Sequence, residues 1–145
     1  MQMRLSSYSD YALRVLMHAA LQRPHLTTID QVATAFNISR NHLSKVVHAL
    51  AIHGFLSTQR GIGGGFRLSR PAAEITVGEV VRMTEGDETV IDCISRRNEP
   101  CTIFPACRLK GVLAEAADAF FEVLDRYTLD DLVKRKSQMK ELLRI

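Results

Sequence analysis

The chain has 145 residues, 46% hydrophobic and 24% charged, with a formal net charge of +3. Such a composition belongs to a globular protein with a real core and excludes a disordered or collagen-like chain. No run of about 18 uninterrupted apolar residues is present to span a bilayer. The modest net charge hides an asymmetry. Residues 1–70 carry eight Lys and Arg against Asp10 and Asp30, a balance of +6, together with all five histidines. Residues 71–145 carry 11 basic and 14 acidic residues, a balance of −3. A basic half joined to an acidic half points to one surface for a polyanion and another for a different task.

The first helix is expected from the Ser7-Tyr8-Ser9-Asp10 capping box to about Gln22, with a polar stripe at Asp10, Arg14, His18 and Gln22 and Pro24 at its end. Its apolar stretch is broken by Arg14 and His18 and has no basic leader. It therefore does not read as a secretory signal, and a cytoplasmic protein with reduced cysteines is expected. Thr27 or Thr28 then caps a short helix through Phe36, with Ile29, Val32, Ala33 and Phe36 on one face. After a break at Asn37-Ile38, Ser39 caps a third helix that ends at Gly54. Leu43, Val46, Val47 and Leu50 form its apolar stripe, while Arg40, Asn41, Ser44, Lys45 and His48 occupy the other side. Two helices joined by a tight turn, the second basic on its outer face, match helix-turn-helix geometry.

Residues 55–60 and 66–69 read as short strands around Gly61-Ile62-Gly63-Gly64-Gly65. Four glycines in five residues let a hairpin tip take positive φ and approach another molecule closely. Arg60 and Arg67 flank that tip. The expected fold is therefore mostly α, a winged helix-turn-helix DNA-binding unit followed by a long helix. Thr76-Val77-Gly78-Glu79 opens a further helix to about Glu85, and residues 86–104 look irregular. A long helix is expected from Pro105, as its first residue, to Tyr127. Leu109, Val112, Leu113, Ala116, Phe120, Val123, Leu124 and Tyr127 follow 3–4 spacing along it. Such a helix must pack on something extended, either a second copy of the chain or, within one chain, the first helix. Thr128-Leu129-Asp130-Asp131 caps a short helix, and residues 137–144 form a last one. The implied division is 1–75 for DNA binding, 76–104 for a connecting helix and loop, and 105–145 for dimerisation.

Cys93, Cys101 and Cys107 fall within fifteen residues as C-x7-C-x5-C. Cys107 is expected in the first turn of the long helix, where the helix N-terminus favours an anionic group, with Arg96, Arg97 and Arg108 nearby. Three readings compete: inert thiols, structural zinc, and an iron–sulfur centre. Inert cysteines favour apolar surroundings, and zinc prefers closer C-x2–4-C pairs. An iron–sulfur centre tolerates longer spacing but wants a fourth ligand.

These residues, with Ser9-Asp10-Tyr11-Ala12-Leu13-Arg14, Ser39-Arg40-Asn41-His42-Leu43, Arg60-Gly61, Gly63-Gly64-Gly65-Phe66-Arg67-Leu68 and Tyr127-Thr128-Leu129-Asp130-Asp131-Leu132, resemble the NsrR/IscR group of winged-helix iron–sulfur regulators over almost the whole chain. Residues 101–110 look most like the nitric-oxide-sensing NsrR branch; the IscR branch has a histidine ligand where Lys110 stands here. The resemblance implies an iron–sulfur cluster held by Cys93, Cys101, Cys107 and Asp10 of the partner subunit, [4Fe-4S] being favoured over [2Fe-2S]. Asp10 also suits a helix cap, and Asp92 and Glu99 are the other nearby oxygens. The function implied is a homodimeric repressor on a palindromic double-stranded operator, released when nitric oxide attacks the cluster. Candidate DNA contacts are Arg40, Asn41, His42, Lys45, Arg60, Gly63, Gly64 and Arg67. An iron- or redox-responsive regulator, or a zinc- or disulfide-stabilised one without a cluster, would share the fold. No P-loop or Rossmann spacing and no nucleophile–base signature is present, so no enzyme is expected.

Overall fold

A computed structural model describes residues 4–86 and 101–145. Helices α1 (Ser7–Gln22), α2 (Ile29–Phe36) and α3 (Arg40–Ile52) are followed by strands β1 (Leu56–Gln59) and β2 (Gly65–Leu68). A 3-10 turn at Ala72–Glu74 leads into α4 (Val77–Glu85). Beyond a second 3-10 turn at Phe104–Ala106 come α5 (Leu109–Asp125), α6 (Leu129–Leu132) and α7 (Lys136–Leu143). The fold is mostly helical with one small antiparallel sheet.

The helix-turn-helix forms where the patterning places it. The side chain of Thr28 accepts from the Gln31 amide while the Gln31 side chain accepts from the Thr28 amide, so both donors are satisfied at the start of α2. Asn37 closes α2 in the left-handed conformation, φ 53°, and its amide reaches back to the Ala33 carbonyl. Leu43, Val46, Val47 and Leu50 are all buried, which fixes the face of α3 that remains outside. Gly54, φ +79°, follows the last turn. Ser39 occupies the N-cap of α3 but makes no side-chain cap hydrogen bond, contrary to its expected role.

In the wing, Leu56 pairs with Leu68 and Gln59 with Gly65. The outer side of β2 is tied to the loop before α2, the amide and carbonyl of Phe66 each bonding Thr27 at 2.8 Å. Gly65 permits this approach, because a Cβ there would meet the Thr27 carbonyl. Ile75, Val80, Leu129 and Val133 belong to the same buried cluster as Leu16, Leu43 and Leu50. The elements around α4 and α6 thus share the core of α1–α3.

α5 does not. None of its residues is buried, and it leans on α4 rather than α1. Arg82 of α4 holds Asp125 through two hydrogen bonds of 2.7 and 2.8 Å and lies 4.5 Å from the Phe121 ring centre. Gly78 makes room for that pair, since a Cβ there would run into the Asp125 carboxylate. The opposite stripe of Leu109, Val112, Val123 and Tyr127 is exposed. Pro105 lies in the 3-10 turn and not at the start of α5, whose N-cap is Arg108.

The expected polar stripe of α1 is corrected at His18, which is fully buried with neither ring nitrogen hydrogen-bonded. Phe36 is the reason: its ring covers this side of α1, edge-on to His18 at 6.3 Å and 5.4 Å from the Arg14 guanidinium. Burial pushes the His18 pKa below its usual value. The unfolded chain therefore takes up the proton at higher pH than the folded one, and stability falls as pH drops below about 6.5. His18→Leu removes two unpaired buried polar atoms, so it should raise unfolding free energy by about 1–2 kcal/mol and flatten its dependence on pH. Urea denaturation at pH 7.5 and 5.5 checks this; a less stable variant with unchanged pH dependence would contradict it.

Candidate functional site

The outward face of α3 presents Arg40, Asn41, His42 and Lys45, all exposed. Two of them are engaged within the chain. Arg40 Nε lies 2.9 Å from Asp30 of α2, with both side chains well exposed. The His42 ring stacks on Tyr11 of α1, centroids 6.0 Å apart and planes 23° from parallel. Asn41 and Lys45 project freely as donors for base edges or phosphates. Arg60 and Arg67 are exposed on either side of the wing tip, and among the described residues Lys45, Arg60 and Arg67 have no ion pair. Gly61 and Gly63 have φ of +97° and +75°. A Cβ at Gly64 would strike the carbonyls of Gln59 and Gly61, so glycine is what lets the tip close on itself. The result is a basic ridge next to a polar helix face, a surface that suits a phosphate backbone and a groove.

The first turn of α1 is built differently from the expected capping box. Ser6, not Ser7, is the N-cap, its hydroxyl accepting the Ser9 amide at 3.1 Å. Glu85, at the end of α4, selects this phase. Its Oε1 accepts the Ser6 amide and the Ser6 hydroxyl, each at 2.8 Å, and the hydroxyl of buried Ser9 as well. Burial opposes ionisation of Glu85, but the hydrogen bonds from Ser9 and Ser6 outweigh it and hold its pKa below the ordinary value. This stabilisation is present above about pH 4.3 and is lost as pH falls from there through the lowered value. Glu85→Ala strands these donors and should cost about 2 kcal/mol, measurable by urea unfolding at neutral pH. A loss within about 0.5 kcal/mol would show that the latch contributes nothing beyond an ordinary surface position.

Asp10 does not cap α1. Its carboxylate accepts from Arg14 Nε at 3.0 Å, one turn on, and remains about half exposed. The alternative role as a cap therefore falls away. Asp10 precedes Tyr11, the residue that stacks on His42 of α3.

Cys101 and Cys107 are free thiols at the two ends of one compact turn, Cys101 exposed and Cys107 half-buried. The Phe104 amide bonds the Cys101 carbonyl at 2.9 Å, and the Cys107 amide bonds the Phe104 carbonyl at 3.4 Å. Cys107 is extended and precedes the N-cap of α5, so the expectation that it sits in the first helical turn is corrected; the Phe104–Ala106 turn around Pro105 uses up that stretch. Lys110, where a histidine would mark the other branch, donates to the Phe104 carbonyl at 2.8 Å and lies 4.0 Å from the Phe104 ring centre. Cys93, Arg96, Arg97, Asp92 and Glu99 lie outside the described residues. Among the described residues no three His, Cys, Asp or Glu side chains form a metal site. The two accessible thiols are nonetheless soft donors beside the cationic Arg108, a set whose chemistry suits an iron–sulfur group and not a hard cation. Asp30, Tyr11 and Glu85 carry no local sequence signal, because each acts through a contact with a distant residue.

No helix among the described residues is long and apolar enough to cross a membrane. Residues 5–135 match the model of the Rrf2 family, described as iron-dependent transcriptional regulators. The chain is 46% identical to the HTH-type transcriptional regulator NsrR of Bacillus subtilis (strain 168) over 99% of each chain. It is equally identical, over 97% of this chain and 95% of the relative, to NsrR of Shouchella clausii. Among solved structures, the global cysteine regulator CymR of B. subtilis superposes with a TM-score of 0.74 at 27% identity, covering 92% of this chain and 98% of that one. On the helix-turn-helix, the glycine-tipped wing and these matches together, the chain belongs to the Rrf2 family of transcriptional regulators.

Proposed function

We propose that this DNA-binding regulator is a homodimeric repressor whose operator affinity is set by an iron–sulfur cluster sensitive to nitric oxide. The single observation that carries this reading is the continuity from Asp10 through Tyr11 to His42. A half-exposed carboxylate, whose one partner among the described residues is Arg14, stands one residue from the side chain that stacks on the first turn of α3. Cys93, Cys101 and Cys107 of one subunit, with Asp10 of the partner subunit, would hold the cluster. The cluster supplies iron that nitric oxide can bind.

Everything else is done by the protein. The exposed stripe of α5 packs against its copy and sets the separation of two reading helices. Successive major grooves lie about 34 Å apart, so a small rotation of either α1 breaks the match. Without a partner for Asp10, α1, its first turn still latched to Glu85, would shift as one body, and Tyr11 would pass that shift to His42 and thus to Asn41 and Lys45. A hundredfold loss of operator affinity needs only about 2.7 kcal/mol of coupling, within the ordinary allosteric range.

Asp10→Ala tests the reading directly. Purified without air, the variant should lose its visible absorption faster than the parent on standing, and should bind operator about tenfold or more weakly in gel shifts. Unchanged colour, stability and affinity would remove Asp10 from the mechanism.

A further inference from the structure

Ile62 is the one side chain of the wing tip with no part in this account. It stands between Gly61 and Gly63, both in positive φ, and is fully exposed, more so than any other large apolar side chain among the described residues. A lone exposed aliphatic residue ordinarily needs no explanation. What distinguishes Ile62 is its mounting. The Gly64 amide closes the tip on the Gly61 carbonyl at 3.0 Å, and a Cβ at Gly64 would block that closure. The turn is therefore narrow and almost free of side chains, and its sole projection is a branched aliphatic group. Exposed Arg60 and Arg67 flank its base without ion pairs among the described residues.

Arginines beneath an apolar point are the chemistry of a minor-groove binder: the cations meet phosphates and the negative potential of the narrow groove, and the apolar group enters where water is expelled. An isoleucine cannot read donors and acceptors. It can favour a base step that opens easily, and pyrimidine–purine steps do. We propose that Ile62 is an apolar wedge that the wing seats in the operator minor groove, giving preference for a flexible TA or CA step outside the major-groove contacts. This inference rests on the reading that the wing meets DNA.

The experiment uses full-length protein, prepared without air, and a duplex selected by the parent protein from a random pool. Partner duplexes carry GG in place of TA or CA at the steps facing the wing. Ile62→Ala should weaken binding to the selected duplex about tenfold, abolish the difference between the duplexes and leave the salt slope unchanged. Quenching of 2-aminopurine at that step by the parent protein, lost in Ile62→Ala, would be the spectroscopic counterpart of unstacking. Parent-like affinity and step preference in Ile62→Ala would overturn the wedge, as would a loss equal on every duplex. Arg67→Ala separates the underlying reading: it should weaken binding to all duplexes alike and lower the salt slope by about 1. If Arg67→Ala and Ile62→Ala both behave as the parent, the wing does not meet DNA, and both readings fail.

Discussion

Cys107→Ser and Cys101→Ser should each give a colourless protein that binds operator about a hundredfold more weakly than the parent, a loss of about 2.7 kcal/mol. A serine hydroxyl stays protonated at neutral pH and is a hard ligand, whereas iron–sulfur groups are held by thiolates. With three cysteines in the whole chain, loss of one leaves too few to retain a cluster. Neither described cysteine is buried, so the fold should survive with stability within about 0.5 kcal/mol of the parent. Iron and sulfide analysis, visible absorption and gel shifts on the same samples check the prediction. Colourless variants with parent-like operator affinity would contradict it.

The second large effect concerns α5. Val112 and Val123 lie three turns apart on its exposed stripe with Leu109 and Tyr127, and nothing among the described residues covers them. Placing aspartate at both positions puts unpaired charges where a helix–helix interface would bury them, at a cost of several kcal/mol per ion. The double variant Val112→Asp/Val123→Asp should sediment as a monomer. A monomer engages one half-site at a time and forfeits the avidity of linked binding, about 10²–10⁴ in affinity. Because the stripe is already exposed in the single chain, monomer stability should change little. A sedimentation coefficient unchanged from the parent would remove this stripe from the proposed dimer.

How far the fold can be read from sequence varies with the range of the interaction involved. Thr28, Thr76 and Thr128 cap their helices through partners three residues on, and all three motifs are legible locally. The stripe Leu43, Val46, Val47 and Leu50 and the glycine-tipped wing are equally direct, because spacing and φ requirements act within one element. The start of α1 is not. Ser6 is chosen over Ser7 by a carboxylate 79 residues away, and nothing near Ser6 announces it. His18 follows a polar stripe in sequence and lies buried in the fold because Phe36 arrives from another helix.

The same distinction runs through the functional surface. The exposure of the candidate residues on α3 and the wing is legible, since solvated polar positions on an amphipathic helix follow once the apolar stripe is known. The engagement of Arg40 by Asp30 and of His42 by Tyr11 is not, because both are contacts between elements. On the proposed reading Arg40 would have to exchange Asp30 for a phosphate, which makes Asn41 and Lys45 the less encumbered candidates for DNA contact. The cysteine turn shows the limit of helix-start signals. Pro105 suits the first position of a helix, yet the turn closes on the Phe104 carbonyl before α5 begins.

The most direct measurement joins colour to DNA binding in one titration. Protein purified without air, at a concentration that saturates an operator fragment, would be titrated with nitric oxide while optical and resonance Raman spectra are recorded and aliquots run in gel shifts. The account predicts thiolate–iron bands before titration, and bleaching and operator release that progress together with the same stoichiometry. Protein that is colourless, cannot be reconstituted with iron and sulfide, and holds its operator unchanged throughout would contradict it, leaving a winged-helix regulator that senses something else.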